Sequence, residues 1–225
     1  MDDTAAARPF DEMTLDELAL ALAPAVADSA TFDGWTDEAL AMAADMEGVD
    51  PATARLAYKG GAMAMIAAWI ARIDRDMARE LPPETLATMK IRERIRALVQ
   101  YRLDAVRGQE EALRRALAIM AMPQNAPTAL RLGWNSADTM WRLAGDTATD
   151  YNHYTKRAIL ASIYSATLLA FVNDQTDDKA ETAAFLDRRI DGVMKFEKVK
   201  AQFLRPDRER FSVSRFLGRL RYPAS

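Results

Sequence analysis

The clearest hydrophobic pattern of the sequence lies between Tyr154 and Asn173, where apolar residues recur every three to four positions. This spacing puts them on one face of an α-helix. The stripe comprises Ile159, Leu160, Ile163, Tyr164, Leu168, Phe171 and Val172. A second helical segment precedes it and ends at Gly145, a residue type that commonly follows the last turn of a helix. The pattern therefore predicts two helices that meet at a short polar corner.

Stripes of the same kind predict about nine helices before Pro206, and no convincing strand or internal repeat is found. Thr14 and Glu17 form the capping-box pattern that starts a helix. One long helix is predicted to begin at Glu84, with apolar residues at helical spacing as far as Val106. Alanine and methionine are abundant while glycine and proline are few, which is a helical composition. The fold class is therefore predicted to be all-α.

Two short helices near the amino terminus are separated by a tight turn. One runs from Thr36 to Gly48 and the other begins at Pro51, where proline suits the first helical turn. This arrangement is a helix-turn-helix, but residues 14–70 carry 9 acidic and only 2 basic side chains. Duplex DNA is bound chiefly through neutralisation of its phosphates by lysine and arginine. The sequence therefore predicts a helix-turn-helix that does not bind nucleic acid.

The corner between the two long helical segments carries a long and irregular motif. It consists of Trp141, Ala144-Gly145-Asp146, Thr149-Asp150 and Tyr154-Thr155-Lys156-Arg157. This motif resembles the signature of the ninth Coq protein family of ubiquinone (coenzyme Q) biosynthesis, and the similarity extends at lower density from about Leu15 to Val199. The resemblance implies a TetR-like fold, binding of an isoprenoid lipid or ubiquinone precursor, and assistance to the di-iron hydroxylase that acts on demethoxyubiquinone. It implies an accessory protein rather than an enzyme.

Periodicity and resemblance together divide the chain into four segments. They are a flexible amino terminus (1–13), a helix-turn-helix-like subdomain that does not bind DNA (14–61), a helical bundle for ligand binding and dimerisation (62–205) and a basic amphipathic helix (206–225). In TetR-like proteins the last two helices of the bundle form a two-fold interface. The resemblance therefore implies a homodimer through the helices predicted at Tyr154–Asn173 and Lys179–Ala201.

Methionine and large apolar side chains occur on successive predicted helices of the bundle. Taken singly, each is most simply a core residue, but methionine adapts well to irregular apolar ligands. Together these side chains are compatible with a cavity for a long apolar ligand, and the resemblance supplies most of the support for that cavity. The residues predicted to line it are Ile66, Trp69, Ile70, Tyr101, Leu117, Met120, Met140, Ile163 and Tyr164.

The tryptophan before the corner matches, in the resembling family, a surface residue that docks the hydroxylase. Trp141 takes that position, and it is followed by Arg142 where the family often has an aromatic residue. Trp134 lies two helical turns earlier on the same face, so packing in the core is the alternative. We predict a partner-binding site formed by Trp141, Arg142 and Asp146. If Trp141 is exposed, its replacement by alanine abolishes partner binding with little loss of stability.

The net charge of −3 conceals an asymmetry, because residues 1–80 carry 16 acidic and 6 basic side chains while residues 81–225 carry 17 and 24. Part of the positive charge lies in a predicted helix from Asp207 to Tyr222 with one apolar face. Such a helix suits the surface of an anionic membrane, although a helix packed on the protein body is the alternative. The predicted membrane contacts are Phe216, Leu217, Leu220, Arg215 and Arg219.

Most catalytic and metal sites require residues that this chain lacks. It has no cysteine and a single histidine, His153, whereas a di-iron site in a helical bundle takes two Glu-x-x-His units. We therefore predict no catalytic residue, no metal and no cofactor. The longest uncharged run, 158–173, has 16 residues, fewer than the ~20 that span a bilayer.

These observations favour a cytoplasmic accessory protein that associates peripherally with the inner (cytoplasmic) membrane. Its ligand would be an isoprenoid quinone intermediate, which it would present to the hydroxylase. The alternative is a TetR-type transcriptional regulator with a hydrophobic effector pocket, against which the acidic helix-turn-helix argues.

Overall fold

The computed structural model of the protein describes the backbone of residues 9–147 and 151–203, and the side chains of residues 9–147 and 153–192. Over these residues it contains ten α-helices, two short 3₁₀ turns (Phe10–Glu12 and Asp177–Lys179) and no strand, which confirms the predicted all-α class. The helices are α1 (Leu15–Asp33), α2 (Asp37–Met46), α3 (Pro51–Ala57), α4 (Ala62–Glu80), α5 (Pro83–Ala87), α6 (Ile91–Asp104), α7 (Glu110–Met120), α8 (Ala126–Leu143), α9 (Tyr151–Phe171) and α10 (Ala180–Phe203).

The first helix is the centre of the amino-terminal half, because α1 packs against α2, α3, α4 and α7. It begins with the capping box that the sequence predicts. The Thr14 hydroxyl accepts a hydrogen bond from the backbone N–H of Glu17, and the Glu17 carboxylate accepts one from the backbone N–H of Thr14. Leu18, Leu22 and Val26 are fully buried on the inner face. The position of α1 can therefore be predicted from local sequence signals, the capping box and the helical stripe.

The predicted helix-turn-helix is formed by α2 and α3. Gly48 has a φ of +71° in the turn between them, a conformation that glycine adopts without strain. Asp50 then caps α3 by accepting the backbone N–H of Thr53 at 2.9 Å. The Tyr58 hydroxyl donates to the Ala19 carbonyl oxygen at 2.6 Å, so α3 is fixed against α1.

One predicted helix is two helices in the structure. The sequence predicts a continuous helix from Glu84 to Val106, whereas the chain leaves the helical conformation at Lys90, whose ψ is 153°. The Glu93 carboxylate accepts the backbone N–H of Lys90 at 3.0 Å, which starts α6 anew. The prediction was wrong here because its apolar stripe begins at Ile91, after the break, and gave no information on whether residues 84–90 belong to the same helix.

The second half of the fold is built around α4, which packs against α1, α6, α7 and α8, while α8 also packs against α9. Trp69 on α4 and Trp35 after α1 have ring centroids 5.3 Å apart. The Trp35 indole N–H donates to the Ala112 carbonyl oxygen of α7 at 3.0 Å. Two buried tryptophans therefore join the helix-turn-helix half to the bundle.

Of the described residues, those up to Asp187 form one compact unit, and the rest of α10 continues as helix to Phe203. Within the described ranges, every helix is too short or too polar to cross a lipid bilayer. The predicted amphipathic helix with Phe216, Leu217, Leu220, Arg215 and Arg219 lies outside the described residues. The boundaries of the four predicted segments stay predictions.

Candidate functional site

A small cavity of about 90 Å³ lies among α4, α6, α7, α8 and α9. Six of the nine residues predicted to line a ligand site border it: Ile66, Trp69, Ile70, Leu117, Met120 and Tyr164. The other wall residues are Ile73, Arg102, Val106, Leu113, Ala116, Ala129, Leu132, Gly133, Ser136, Ser165 and Leu168. Most of this wall is apolar, as in sites for hydrophobic ligands.

The structure places the other three predicted lining residues elsewhere. Met140 and Ile163 are buried in the core beside the cavity rather than in its wall. Tyr101 lies on a different side of α6, where partial burial and the charges of Asp76 and Glu80 raise the pKa of its hydroxyl. Adjacent residues of a helix point about 100° apart, so the inward direction of Arg102 turns Tyr101 away.

One end of the cavity is polar. The guanidinium of Arg102, a residue only 1% exposed, donates to one carboxylate oxygen of Asp74. The Ser136 hydroxyl donates to the other carboxylate oxygen at 3.1 Å. The ring of Tyr164 lies against the guanidinium, with 4.8 Å between the ring centroid and Cζ. Burial raises the pKa of Asp74, although Arg102 and Ser136 both act to lower it.

This polar end was missed in the sequence, although a signal was present. Ile95, Leu98 and Val99 predict the inner face of α6, and Arg102 is the next residue in the same stripe. A charged residue in an apolar stripe is buried with its partner or marks a polar site. The aspartate that neutralises it is on another helix, so sequence spacing gave no means of pairing the two.

The cavity is smaller than the ligand that the family resemblance implies. Its volume of about 90 Å³ is below the ~150 Å³ of a void that takes up benzene, and well below the ~300–1,000 Å³ of ordinary ligand sites. A prenylated molecule therefore requires the walls to move. Leu117 and Met120 are only partly buried, and the flexible thioether of Met120 suits it to that change.

The corner between α8 and α9 begins at Gly145. Its φ of +89° favours glycine, and a Cβ at this position would meet the Arg94 guanidinium at 3.2 Å. Arg94 donates to the Ala144 carbonyl oxygen at 2.8 Å and to the Met89 carbonyl oxygen at 2.9 Å. The glycine of the corner motif therefore makes room for an arginine that ties the corner to the start of α6.

A network of charged side chains closes the corner. Arg157, whose side chain is only 2% exposed, donates to Asp138 at 2.5 Å and to Asp146 at 2.9 Å. Lys156 also donates to Asp146, at 2.6 Å. Burial acts to raise the pKa of Asp146, but the hydrogen bonds from Lys156 and Arg157 outweigh it and lower the pKa. Arg142 pairs with Asp138 from the solvent side.

The three residues predicted to bind a partner differ in their surroundings. The Arg142 side chain is 72% exposed, whereas that of Asp146 is 5% exposed and held by the network. Trp141 is half-buried. Its indole N–H donates to the Lys156 carbonyl oxygen at 3.0 Å, and the Lys156 ammonium lies 5.4 Å from its ring centroid. Asp146 thus has a structural position, while Trp141 and Arg142 reach the surface.

An exposed apolar patch on α8 and α9 adjoins these residues. Leu130 and Tyr154 are among the large apolar residues that stay exposed. Trp134 lies one turn after Leu130, and its ring centroid is 6.1 Å from that of Tyr154. We call Leu130, Trp134, Trp141, Arg142 and Tyr154 the α8–α9 surface. Exposed aromatic and arginine side chains of this kind are common anchors of protein interfaces.

Comparison with known proteins agrees with the corner motif. Residues 126–197, which cover α8, α9 and most of α10, match the family model described as COQ9. The ubiquinone biosynthesis protein COQ9, mitochondrial, of Rattus norvegicus is 35% identical over 167 residues, which are 72% of this chain and 54% of that protein. The corresponding protein of Homo sapiens is 34% identical over 168 residues, 72% of this chain and 52% of its own length. The chain thus spans about half the length of these curated relatives.

The fold has a relative among solved structures. The TetR transcriptional regulator from Nitrosomonas europaea ATCC 19718 superposes with a TM-score of 0.63 at 20% identity, over 80% of this chain and 99% of that one. This likeness confirms the TetR-like fold. At 20% identity it supports the fold and does not extend to function.

Proposed function

Because this chain carries a COQ9 family domain and is homologous to COQ9 proteins over most of its length, we propose that it acts in ubiquinone biosynthesis as a lipid-binding accessory protein. It binds an isoprenoid quinone intermediate and presents it to the di-iron hydroxylase of demethoxyubiquinone. The cavity among α4, α6, α7, α8 and α9 is the observation that carries the proposal. Its apolar wall suits a prenyl chain, and its polar end suits a head group.

The α8–α9 surface is the proposed docking site for the hydroxylase. It combines the apolar rings of Trp134, Trp141 and Tyr154 with the exposed cation of Arg142. It is also built from α8 and α9, whose residues Gly133, Ser136 and Tyr164 border the cavity. A partner bound there lies against the same two helices that hold the ligand. We therefore assign capture of the lipid and docking of the partner to neighbouring parts of one structure.

The alternative function, transcriptional regulation, has less support than the lipid-binding one. Five acidic residues between Asp37 and Asp50 are all exposed on α2 and in the turn that follows. The second helix offers Arg55, with Lys59 just beyond its end, as exposed cations. Phosphate groups of a duplex are repelled by such a surface. A regulator would bind duplex DNA with a steep dependence on salt, so a titration at low and high salt separates the two functions.

The lipid proposal is tested by filling the cavity from Gly133. A Cβ at Gly133 would meet nothing within 4 Å, and glycine within a helix gives about 1 kcal/mol less stability than alanine. We expect Gly133→Leu to retain or raise the melting temperature while the amount of prenylated lipid that co-purifies falls severalfold. Mass spectrometry of the extracted lipid measures the amount of prenylated lipid bound per protein. Ala118→Leu on the exposed side of α7 is the control and should keep the wild-type load.

An equal lipid load in the Gly133→Leu and Ala118→Leu proteins would contradict binding in this cavity. Absence of prenylated lipid from the wild-type protein, even after incubation with membranes that contain ubiquinone intermediates, would contradict the proposed function itself.

The carboxyl-terminal segment is proposed to bring the protein to the membrane. Near an anionic surface each arginine contributes about 1 kcal/mol, and each large apolar side chain that inserts fully adds about 1.5–3 kcal/mol. We expect removal of residues 207–225 to abolish sedimentation with anionic liposomes while the helical circular dichroism of the bundle persists. The double change Phe216→Asp and Leu220→Asp should do nearly the same. Undiminished sedimentation of the truncated protein would exclude this segment as the membrane element.

Two further parts of the proposal follow the family resemblance. The protein forms a homodimer through its last two bundle helices, as TetR-like proteins do. It associates peripherally with the membrane that holds ubiquinone; the relatives compared above are named as mitochondrial proteins. Sedimentation of the purified protein measures the first, and cell fractionation the second.

A further inference from the structure

A groove of about 300 Å³ lies between α1 and α4, and we call it the α1–α4 groove. Its wall consists of Met13, Glu17, Leu20, Ala21, Arg72, Arg75, Asp76 and Arg79. Of the residues that the structure describes, none borders both this groove and the cavity among α4, α6, α7, α8 and α9. Ordinary ligand sites enclose ~300–1,000 Å³, so the groove is large enough for a small molecule and is a separate place on the protein.

Three arginines of α4 border the groove. Arg72, Arg75 and Arg79 follow one another at intervals of three and four residues, so they share one face of the helix. Seven residues of helix place the first and the last about 10 Å apart along the axis. Guanidinium groups bind carboxylates and phosphates through parallel N–H donors, so this row favours a ligand that carries an anion.

Both carboxylates of the groove already have partners. Asp76 accepts a hydrogen bond from Arg72 Nε at 2.6 Å and pairs with Arg79 at 3.2 Å. The Glu17 carboxylate accepts the backbone N–H of Thr14 at 2.9 Å and its hydroxyl at 3.0 Å, as part of the capping box of α1. The two acids therefore hold neighbouring groups in place and leave one of the three arginines unpaired.

That arginine is Arg75. It is exposed, and it makes no hydrogen bond or ion pair with any other residue in the described part of the chain. Arg72, in contrast, also donates to the Leu20 carbonyl oxygen of α1 at 3.2 Å. Three arginines against two carboxylates leave the described wall with one positive charge. A single negative charge on the ligand balances it, whereas a second one would be repelled by Asp76 and Glu17.

The rest of the groove wall is apolar. Met13, Leu20 and Ala21 are partly buried, so their side chains offer apolar surface to a ligand. The flexible thioether of methionine adapts to the shape of an alkyl or aryl group. The groove thus combines one available guanidinium with a short apolar wall.

We propose that the α1–α4 groove binds an amphipathic monocarboxylate. Its carboxylate pairs with Arg75, and its short apolar body lies against Met13, Leu20 and Ala21. This site does not depend on the proposed function, because it shares no wall residue with the lipid cavity. The bound acid does contact α4, a helix that borders that cavity as well.

The experiment uses the full chain with ¹³C-labelled methionine methyl groups, because Met13 borders the groove while Met120 borders the lipid cavity. The probes are hexanoate, 1-hexanol and hexyl phosphate, which share one alkyl chain. Titration of the chemical shift of the Met13 methyl group gives the Kd at the groove. We expect hexanoate to bind about fivefold more tightly than hexanol, as an ion pair open to solvent allows. Hexyl phosphate should bind no more tightly than hexanoate.

The decisive variant is Arg75→Gln. Because Arg75 is exposed, this change should leave the melting temperature nearly unaltered. Hexanoate should lose its advantage, while the Kd of hexanol stays within about twofold of wild type. Arg75→Lys should retain part of the advantage, since lysine keeps the charge but not the two parallel donors. Arg131→Gln, at an exposed arginine of α8, is the matched control and should bind hexanoate as the wild type does.

Several outcomes would overturn the proposal. They are a Met13 resonance that does not respond to hexanoate, a response of Met120 alone, and an advantage of hexanoate that survives Arg75→Gln. Tighter binding of hexyl phosphate than of hexanoate would overturn the assignment to a monocarboxylate. None of these results bears on the proposed function, because the lipid load of the cavity is measured separately.

Discussion

Replacing Arg157 with methionine is expected to lower the free energy of unfolding by about 3–5 kcal/mol. Arg157 is buried at the α8–α9 corner, where it donates hydrogen bonds to Asp138 at 2.5 Å and to Asp146 at 2.9 Å. Methionine fills a similar volume but leaves Asp138 with only Arg142 and Asp146 with only Lys156, two cations that are more exposed than Arg157. Removing one partner of a buried ion pair lowers the stability by more than the intact pair adds to it. The charge that remains is already out of contact with water and has lost the partner that replaced that contact. Unfolding in urea, followed by circular dichroism, measures the difference.

Arg142→Met is the matched control for this prediction. Arg142 bonds the same Asp138, but its side chain is 72% exposed while that of Arg157 is 2% exposed. An ion pair that is open to solvent contributes about 0–1 kcal/mol, so the control should change stability by no more than that. Similar losses in the two variants would show that burial does not decide the strength of this network.

The pH dependence gives a second check on the same network. In the folded protein the hydrogen bonds of Lys156 and Arg157 overcome burial and lower the pKa of Asp146 below its ordinary value of 3.8. A depressed carboxyl pKa contributes stability that is fully present above the unfolded value and is lost as the pH falls through the folded value. The stability difference between wild type and Asp146→Asn should therefore narrow as the pH is lowered below about 4.

Replacing Trp141 with alanine is expected to abolish binding of the hydroxylase and also to destabilise the corner. A fully exposed Trp141 would be replaced with little loss of stability, but its indole N–H donates to the Lys156 carbonyl oxygen and the residue is half-buried. Loss of that hydrogen bond and of the partial burial should cost about 2 kcal/mol, less than the ~3–5 kcal/mol of a core tryptophan. Thermal unfolding and a pull-down with the purified hydroxylase measure the two effects.

Two phenylalanine variants separate docking from stability. Trp141→Phe retains a ring at the surface and loses the N–H, so we expect most partner binding to persist. Trp35→Phe loses an equivalent bond, from the indole N–H to the Ala112 carbonyl oxygen at 3.0 Å, away from the α8–α9 surface. The three variants to compare are Trp141→Ala, Trp141→Phe and Trp35→Phe. If partner binding falls in proportion to the loss of stability in all of them, Trp141 is not an interface anchor.

Local signals in the sequence predict much of this fold. Thr14 with Glu17 starts α1, and Asp50 with Pro51 starts α3, as the caps in the structure confirm. These signals suffice because a helix terminus depends on groups within one turn of itself. The break at Lys90 was missed because Lys90 is not a usual capping residue and the apolar stripe that predicted the helix begins only after it.

The site was less accessible to sequence analysis than the fold. An error of one residue on a helix turns a side chain by about 100°, which is why Tyr101 was predicted in the place that Arg102 takes. Asp146 was grouped with the partner-binding residues because family motifs combine structural and functional positions without distinguishing them. The contacts of Arg157 and Lys156 show that its carboxylate holds the corner together. Contacts between distant helices, such as that of Arg102 with Asp74, require the folded structure.

The small volume of the cavity has a consequence for the timing of lipid exchange. A space of about 90 Å³ does not hold a prenyl chain, so the lipid binding proposed above requires an open conformation that this structure does not show. The apparent affinity is then reduced by the fraction of molecules that are open. Once the walls close around the chain, release waits for the same rare opening, so the residence time is set by the protein rather than by the solubility of the lipid. In the proposed role, slow release would keep the lipid bound until the protein meets its partner, and a partner that stabilises the open form would receive it.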